Sequence, residues 1–317
     1  MAGVGSVTAT ALERAAMDYI AIRRSFGYKV VGHDRLLADF CGWLDRAALD
    51  TVTTQAAAAW AVLPGAGDSW HAQRLSVVRG FAAHLRAVDP RCEVPPRDVI
   101  PAGHQRVPPH IYSTEEIEEL LAQARLLSPR LRAATFETLL GLLAVTGMRS
   151  GEALRLNRSD VDLEAGTVKV VATKFNKSRE LAVHATTGAA LAAYIDLRDR
   201  CLPRPPTTSF FVSNSGRRLG SSSLYAAFGQ MRGRAGLDPP VGSRGRRPRP
   251  HDLRHSFAVA TLIDWYRTDQ DVQALLPSLS AYLGHTRPSA TYWYLSAVPE
   301  LLAAASERAQ QRRRRPR

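Results

Sequence analysis

Residues His251-Asp252-Leu253-Arg254-His255 place two imidazoles and a guanidinium in one short stretch. The run continues through Ser256-Phe257-Ala258-Val259-Ala260-Thr261-Leu262 with an apolar stripe and few helix breakers, which predicts a helix over 251–265. Positions three apart share a helix face, so His251 and Arg254 point the same way. A planar donor fork beside a ring N–H is a good receiver for a phosphate. Taken alone, the stretch is equally a solvated charged turn at a helix start. Other residues of similar chemistry are scattered along the chain. Arg149 follows Thr146-Gly147-Met148 and opens a helix, where amide N–H groups and the dipole favour an anion; an exposed turn arginine is the alternative. Lys174 stands on a basic stretch, Thr173-Lys174-Phe175-Asn176-Lys177-Ser178-Arg179, that reads as a hairpin tip. His285 lies in Leu283-Gly284-His285, and Tyr294 follows.

The elements that must position these groups are mostly helical. Apolar residues at helical spacing predict helices over 8–26, 34–48, a short one capped by Thr53 or Thr54 and running to Leu63, and 69–88. The last of these turns Trp70, Leu75, Val78, Phe81 and Leu85 inward and carries His71, Arg74, Arg79, His84 and Arg86 on its other face. Arg74 and Arg79 are candidate DNA contacts there, or simply part of a wet face. Prolines 90, 95, 96, 101, 108 and 109 exclude helix and mark an extended, stiff linker. The expected division is therefore a helical domain over 1–90, a linker over 91–112, a second domain over 113–311 and a basic tail over 312–317.

In the second domain, Ser113 and Glu116 form a capping box before a helix. A nearly all-apolar helix follows over 131–145. The period then switches to two, predicting strands over 167–172 and 180–184 around the hairpin tip. A helix is expected over 187–200, a short strand over 210–213 and further helices over 221–234, 271–283 and 299–311. The run 243–250, with Arg244, Arg246, Arg247 and Arg249, reads as a flexible phosphate-contacting arm. Lys177 and Arg179 of the hairpin are candidate DNA contacts as well.

Length and composition set the bounds. The 317 residues suffice for two ordinary domains, and 45% hydrophobic with 22% charged residues is globular rather than disordered. A net charge of +13 predicts a polyanionic partner, most commonly nucleic acid, although ribosomal and membrane-surface proteins share this balance. Cys41, Cys92 and Cys201 are odd in number and widely spaced, which gives neither a disulfide framework nor a zinc pattern. No Cys/His grouping or carboxylate cluster has metal-ligand spacing, so neither a metal nor another cofactor is expected. With no N-terminal signal pattern, and with its most apolar run (138–148) too short for a bilayer, the chain is expected to be soluble, reduced and cytoplasmic.

Together, TGMRSGEAL at 146–154, TKFNKSRELAVH at 173–184, HDLRHSFA at 251–258 and LGHTRPSATYWY at 283–294 resemble the tyrosine recombinase, or phage integrase, family, which includes the Xer recombinases. The resemblance covers about residues 113–300, and its hairpin looks more like the recombinases of transposon-borne trios. It implies a mainly α fold with a small antiparallel β-sheet: an N-terminal helical core-binding (SAM-like) domain and a catalytic domain, together clasping DNA. It also implies that Tyr294 attacks a phosphodiester, that Arg149 and Arg254 grip the non-bridging oxygens, that His251 and His285 donate to the same phosphate and that Lys174 is the general acid, with Lys177 as its nearby alternative. Tyr292 would then be packing, His255 structural and Glu152 a buttress for Arg149. The implied partners are double-stranded DNA sites and a homotetramer on DNA, a dimer on each site, with sister recombinases as further candidates and no membrane. The segment 299–311 would be exchanged between subunits, or would lie on its own domain. Met148 stands where the family usually has Leu, a volume-conserving change, and Phe175 replaces a common glycine. The competing readings are a type IB-like topoisomerase and a non-catalytic DNA-binding accessory protein.

Overall fold

The structure, a computed structural model, describes residues 11–28, 30–65, 67–100, 108–171, 178–204, 206–240, 246–285, 291–292 and 301. The chain forms two units, Met1–Arg106 and Val107–Arg317.

The first unit is built from α1 (Ala11–Ser25), α2 (His33–Arg46), α3 (Thr54–Ala61) and α4 (Asp68–Leu85). Their apolar stripes meet in one core that includes Leu37, Phe40, Leu44, Trp60, Leu75, Val78 and Phe81. Thr53 caps α3 by accepting from the Ala56 amide at 3.1 Å. Trp70, expected inward, is 39% exposed. It lies five positions before Leu75, roughly 140° round the helix from it, and so off the buried stripe. The proline-containing stretch after α4 packs on this same unit: Cys92 is buried, and Val94, Val99 and Ile100 lie against the core.

The second unit opens with α5 (Thr114–Arg125), whose capping box is formed as the sequence predicts. The Glu116 amide donates to Ser113 Oγ at 3.2 Å, and the Ser113 amide donates to Glu116 Oε2 at 2.9 Å. Helix α6 (Arg130–Thr146) buries residues on nearly every side and is the centre of the larger core. It stops at Gly147, whose φ of 60° is the left-handed conformation that glycine adopts without cost. A single turn, α7 (Ser150–Ala153), leads to the sheet. Strands β1 (Val161–Asp162), β2 (Thr167–Val170) and β3 (Arg179–Ala182) pair antiparallel in that order, with Val168 opposite Leu181 and Val170 opposite Arg179. The short β1 was not anticipated, since two residues carry no period.

Helices α8 (Ala185–Cys201), α9 (Ser221–Arg234), α10 (Asp252–Arg267) and α11 (Val272–Leu283) complete the described elements. The strand expected over 210–213 is not formed. Single bridges join Asn157 to Ser209 and Val212 to Arg218 instead. Phe210 and Phe211 are both fully buried beside Tyr194, and isolated backbone bonds, such as Phe210 N–H to the Leu156 carbonyl at 2.8 Å and Leu219 N–H to the Phe211 carbonyl at 3.1 Å, hold this extended segment together with the core. Helices α10 and α11 share a smaller core with Val259, Leu262, Leu276, Leu279 and Leu283. Among the described residues no helix is long and apolar enough to cross a membrane.

Gly147 joins fold to site. A Cβ there would lie 2.5 Å from Phe257 Cδ1, and an alanine would also have to hold the left-handed conformation at about 1–2 kcal/mol. Gly147→Ala is therefore expected to lower the thermal unfolding midpoint by about 4 °C or more. An unchanged midpoint would show that Phe257 gives way freely and that the turn is not constrained.

Candidate active site

Two helix C-termini build the site. The last carbonyls of a helix have no intrahelical partner and carry the negative end of the dipole, so they attract cations. Helices α6 and α11 both end in left-handed glycines, Gly147 and Gly284. Arg254 of α10 donates from Nη1 to the Gly147 carbonyl at 2.9 Å and from Nη2 to the Leu283 carbonyl at 2.6 Å. It is only 2% exposed, so its guanidinium plane is fixed by backbone on both sides. Arg149 donates from Nη2 to the Gly284 carbonyl at 2.7 Å and from Nη1 to Glu152 Oε1 at 2.8 Å, and its side chain stays 34% exposed. Neighbouring carbonyls of one turn thus hold the two arginines.

The expectation that an anion sits on the helix amides after Arg149 needs correction. Helix α7 has four residues, and the Arg149 amide already donates to Glu152 Oε2 at 3.0 Å. The turn supplies an arginine, not a dipole. Glu152 is almost fully buried and binds a second guanidinium, with Arg179 Nη2 at 2.7 Å from Oε2 and Nη1 at 3.3 Å from Oε1. Burial alone pushes the Glu152 carboxyl up. The hydrogen bonds from Arg179 and from the Arg149 backbone, the charge of Arg179 and the Arg149 side-chain hydrogen bond outweigh it and hold the carboxyl at about 2.

Three histidines surround the arginines. His251 stands at the N-cap of α10, and its ring meets His255 edge-on at 5.1 Å. His285 follows Gly284 and brings Nδ1 to 2.7 Å from the Thr291 hydroxyl, which is fully buried. Burial, then the positive charge of Arg254 and other neighbours, lowers His251 and His285 to about 4. His255 falls to about 3 through burial, then His251 and Arg254. Each is neutral at pH 7. Arg149 and Arg254 both bear on His251 and His285, so these four expected site residues share one electrostatic neighbourhood. Lys174 and Tyr294 lie outside the described residues. Tyr292, expected to pack, is 48% exposed, because it stands one position round from the buried Thr291. Among the described residues no three His, Cys, Asp or Glu side chains are placed to share a metal ion.

The basic residues expected on DNA fall into different settings. Arg74 stacks over Trp60 at 5.1 Å, and Arg79 donates to the carbonyls of Pro95 and Pro96 at 2.7 and 2.8 Å, so both brace the first unit. Arg179 faces inward onto Glu152. Arg246 and Arg249 reach to 3.7 and 3.5 Å from the buried carboxylate of Asp252, while Arg247 is exposed. The arm expected to be flexible is tied down from 246 to 250: Pro248 and Pro250 are buried, and the Arg249 amide donates to Asp252 Oδ2 at 2.8 Å. Lys177 and Arg244 lie outside the described residues. Sequence reasoning missed Thr291 as the partner of His285 and Arg179 as the partner of Glu152. The second had a signal: on a strand Arg179 shares its side with Leu181, which is buried.

Two backbone-anchored arginines near neutral histidines bring fixed positive charge and uncharged ring donors together on a helical frame. The comparisons name the class more closely. Residues 111–300 match the phage integrase family. The integrase/recombinase y4rB of Sinorhizobium fredii is 39% identical over 306 residues, covering 94% of this chain and 97% of that protein. The tyrosine recombinase XerC of Stutzerimonas stutzeri is 32% identical over 246 residues, 77% of this chain and 75% of its own. Among solved structures, the XerH site-specific recombinase bound to its palindromic difH substrate, in a post-cleavage complex, has the same fold. Its TM-score is 0.63 at 20% identity, over 93% of this chain and 84% of that one. The chain belongs to the phage integrase family and is a tyrosine recombinase.

The histidines and Glu152 set an acid limit. A histidine held at about 3–4 when folded takes up its proton in the unfolded chain first, so stability is lost as pH falls from about 6.5 towards 4. Glu152, depressed to about 2, contributes stability above about 4.5 that disappears as pH falls through 2. The thermal unfolding midpoint is expected to drop steadily below pH 6.5. A midpoint that stays level between pH 6.5 and 4.5 would show that the histidines are not buried neutral.

Proposed function

We propose that this recombinase cuts and rejoins DNA through a covalent 3′-phosphotyrosyl intermediate at Tyr294. The phenolic oxygen of Tyr294 attacks the scissile phosphorus, and the bond to the 5′-oxygen breaks. Arg149 and Arg254 hold the non-bridging oxygens, where charge develops in the transition state. His251 and His285 are neutral and each donates one hydrogen bond. With the Thr291 hydroxyl donating to His285 Nδ1, the ring proton sits on Nε2 and serves the phosphate. Lys174, a few residues before Arg179 in the chain, gives its proton to the departing 5′-oxygen. The 5′-hydroxyl of a second strand then attacks the phosphotyrosine and reseals the DNA. Because the ester conserves the bond, this cycle needs neither ATP nor a metal.

The observation that carries this reading is the double anchoring of Arg149 and Arg254 on the C-terminal carbonyls of α6 and α11. Guanidiniums held this way need no reorganisation when charge develops. Four such sites are needed to exchange two pairs of strands, so a homotetramer assembled on two duplex sites, a dimer on each, is the working form, and chromosomal or mobile-element DNA inside the cell is its setting. The net charge of +13 suits that polyanionic partner.

A nicked suicide duplex tests the chemistry, carrying the site that the protein selects from a random-sequence pool. Wild type is expected to form a covalent protein–DNA adduct, and Tyr294→Phe none. If Tyr292→Phe abolishes the adduct and Tyr294→Phe does not, the exposed Tyr292 is the nucleophile.

A further inference from the structure

We propose that Arg179 is a positioning residue for the scissile phosphate: it shares the Glu152 carboxylate with Arg149 and so leaves the charge of Arg149 available to DNA. The proposal rests on reading Arg149 as a phosphate ligand. Alone, Arg149 and Glu152 at 2.8 Å would form a self-neutralising pair. Arg179 closes on both oxygens of the same carboxylate, at 2.7 and 3.3 Å, and returns the trio to a net charge of +1. Its side chain is 14% exposed, which suits a role inside the site better than a contact on DNA. The fit is close on the other side as well. A Cβ at Gly284 would lie 2.9 Å from Arg179 Nη1 and 3.5 Å from Arg149 Nη1, so one glycine peptide rests against both guanidiniums. Buried ion groups are poor sources of stability compared with apolar packing of the same size. Keeping two of them, Glu152 and Arg179, beside the half-buried Arg149 fits a role in charge placement.

The test compares adduct formation on two suicide duplexes that differ at the scissile position. One carries an ordinary phosphodiester. The other carries a methylphosphonate, in which a methyl replaces one non-bridging oxygen and removes the negative charge. Arg179→Gln is expected to slow adduct formation on the phosphodiester by about 10-fold, the size typical of an outer partner, and to lose much less on the methylphosphonate. Arg149→Ala, about 100-fold slower on the phosphodiester, is expected to recover on the methylphosphonate in the same way. The double change Glu152→Gln with Arg179→Gln removes the carboxylate along with its second partner and is expected to regain rate over Arg179→Gln. Arg179→Lys keeps the charge and is expected to exceed Gln on the phosphodiester.

If Arg149→Ala fails to recover, the reading of Arg149 is wrong and the proposal falls with it. If Arg149→Ala recovers while Arg179→Gln is equally slow on both duplexes, the proposal alone is overturned, and Arg179 serves only to hold the fold. A wild-type rate for Arg179→Gln overturns it too. Should Arg179→Gln not fold by thermal unfolding, the Lys variant and the double variant decide: rates for both far below wild type and unchanged by the methylphosphonate overturn the proposal.

Discussion

Two arginines of the second unit are fixed in direction before anything binds, and peptide carbonyls fix them. Helices α6 and α11 end in glycines whose left-handed turns leave carbonyls pointing away from the helix, and Arg254 and Arg149 take them. Much of the second unit follows from this. The central helix α6 must stop at Gly147, α10 must bring Arg254 past that stop, and α11 must end beside it. The small core of α10 and α11 keeps those ends together. Side-chain carboxylate acceptors would have added negative charge beside the guanidiniums. Carbonyl dipoles hold them without adding a full charge, and Arg149 also meets the Glu152 carboxylate.

Burial first, and then the same positive charge, keeps the histidines uncharged. Burial and the arginines act in one direction on His251, His255 and His285, so the site gathers its cationic charge on guanidiniums that cannot lose it and its uncharged donors on rings that can. Such a division suits a reaction whose transition state is anionic and whose forward and reverse steps run through the same groups.

Much of this was legible in the sequence, and the limits have physical causes. A three-residue offset, nearly a full helical turn, put His251 and Arg254 on one side, and the glycine turn before a helix start singled out Arg149. Cap chemistry located α3 and α5 through Thr53 and Ser113. Trp70 was misplaced because its size suggested burial while its angle on α4 did not. Phe210 and Phe211 read as a strand because extended, apolar backbone looks alike whether a ladder or a core holds it. Arg179 was taken for a surface contact because its neighbours at the hairpin tip are basic, although strand alternation puts it on the side of Leu181. Nothing local marks Thr291, whose value lies in a hydrogen bond to a residue six positions away.

Leu283 and Gly284 are consecutive residues, and each gives its carbonyl to a different arginine. The gap between the two anchors is therefore the span of one peptide unit, with neighbouring Cα atoms about 3.8 Å apart. That turn works as a caliper of fixed opening. Any movement of the end of α11 shifts both carbonyl anchors together, and His285 next to them in the chain. The energetic effects of altering Arg149, Arg254 or the residues beneath that turn will accordingly be coupled rather than additive.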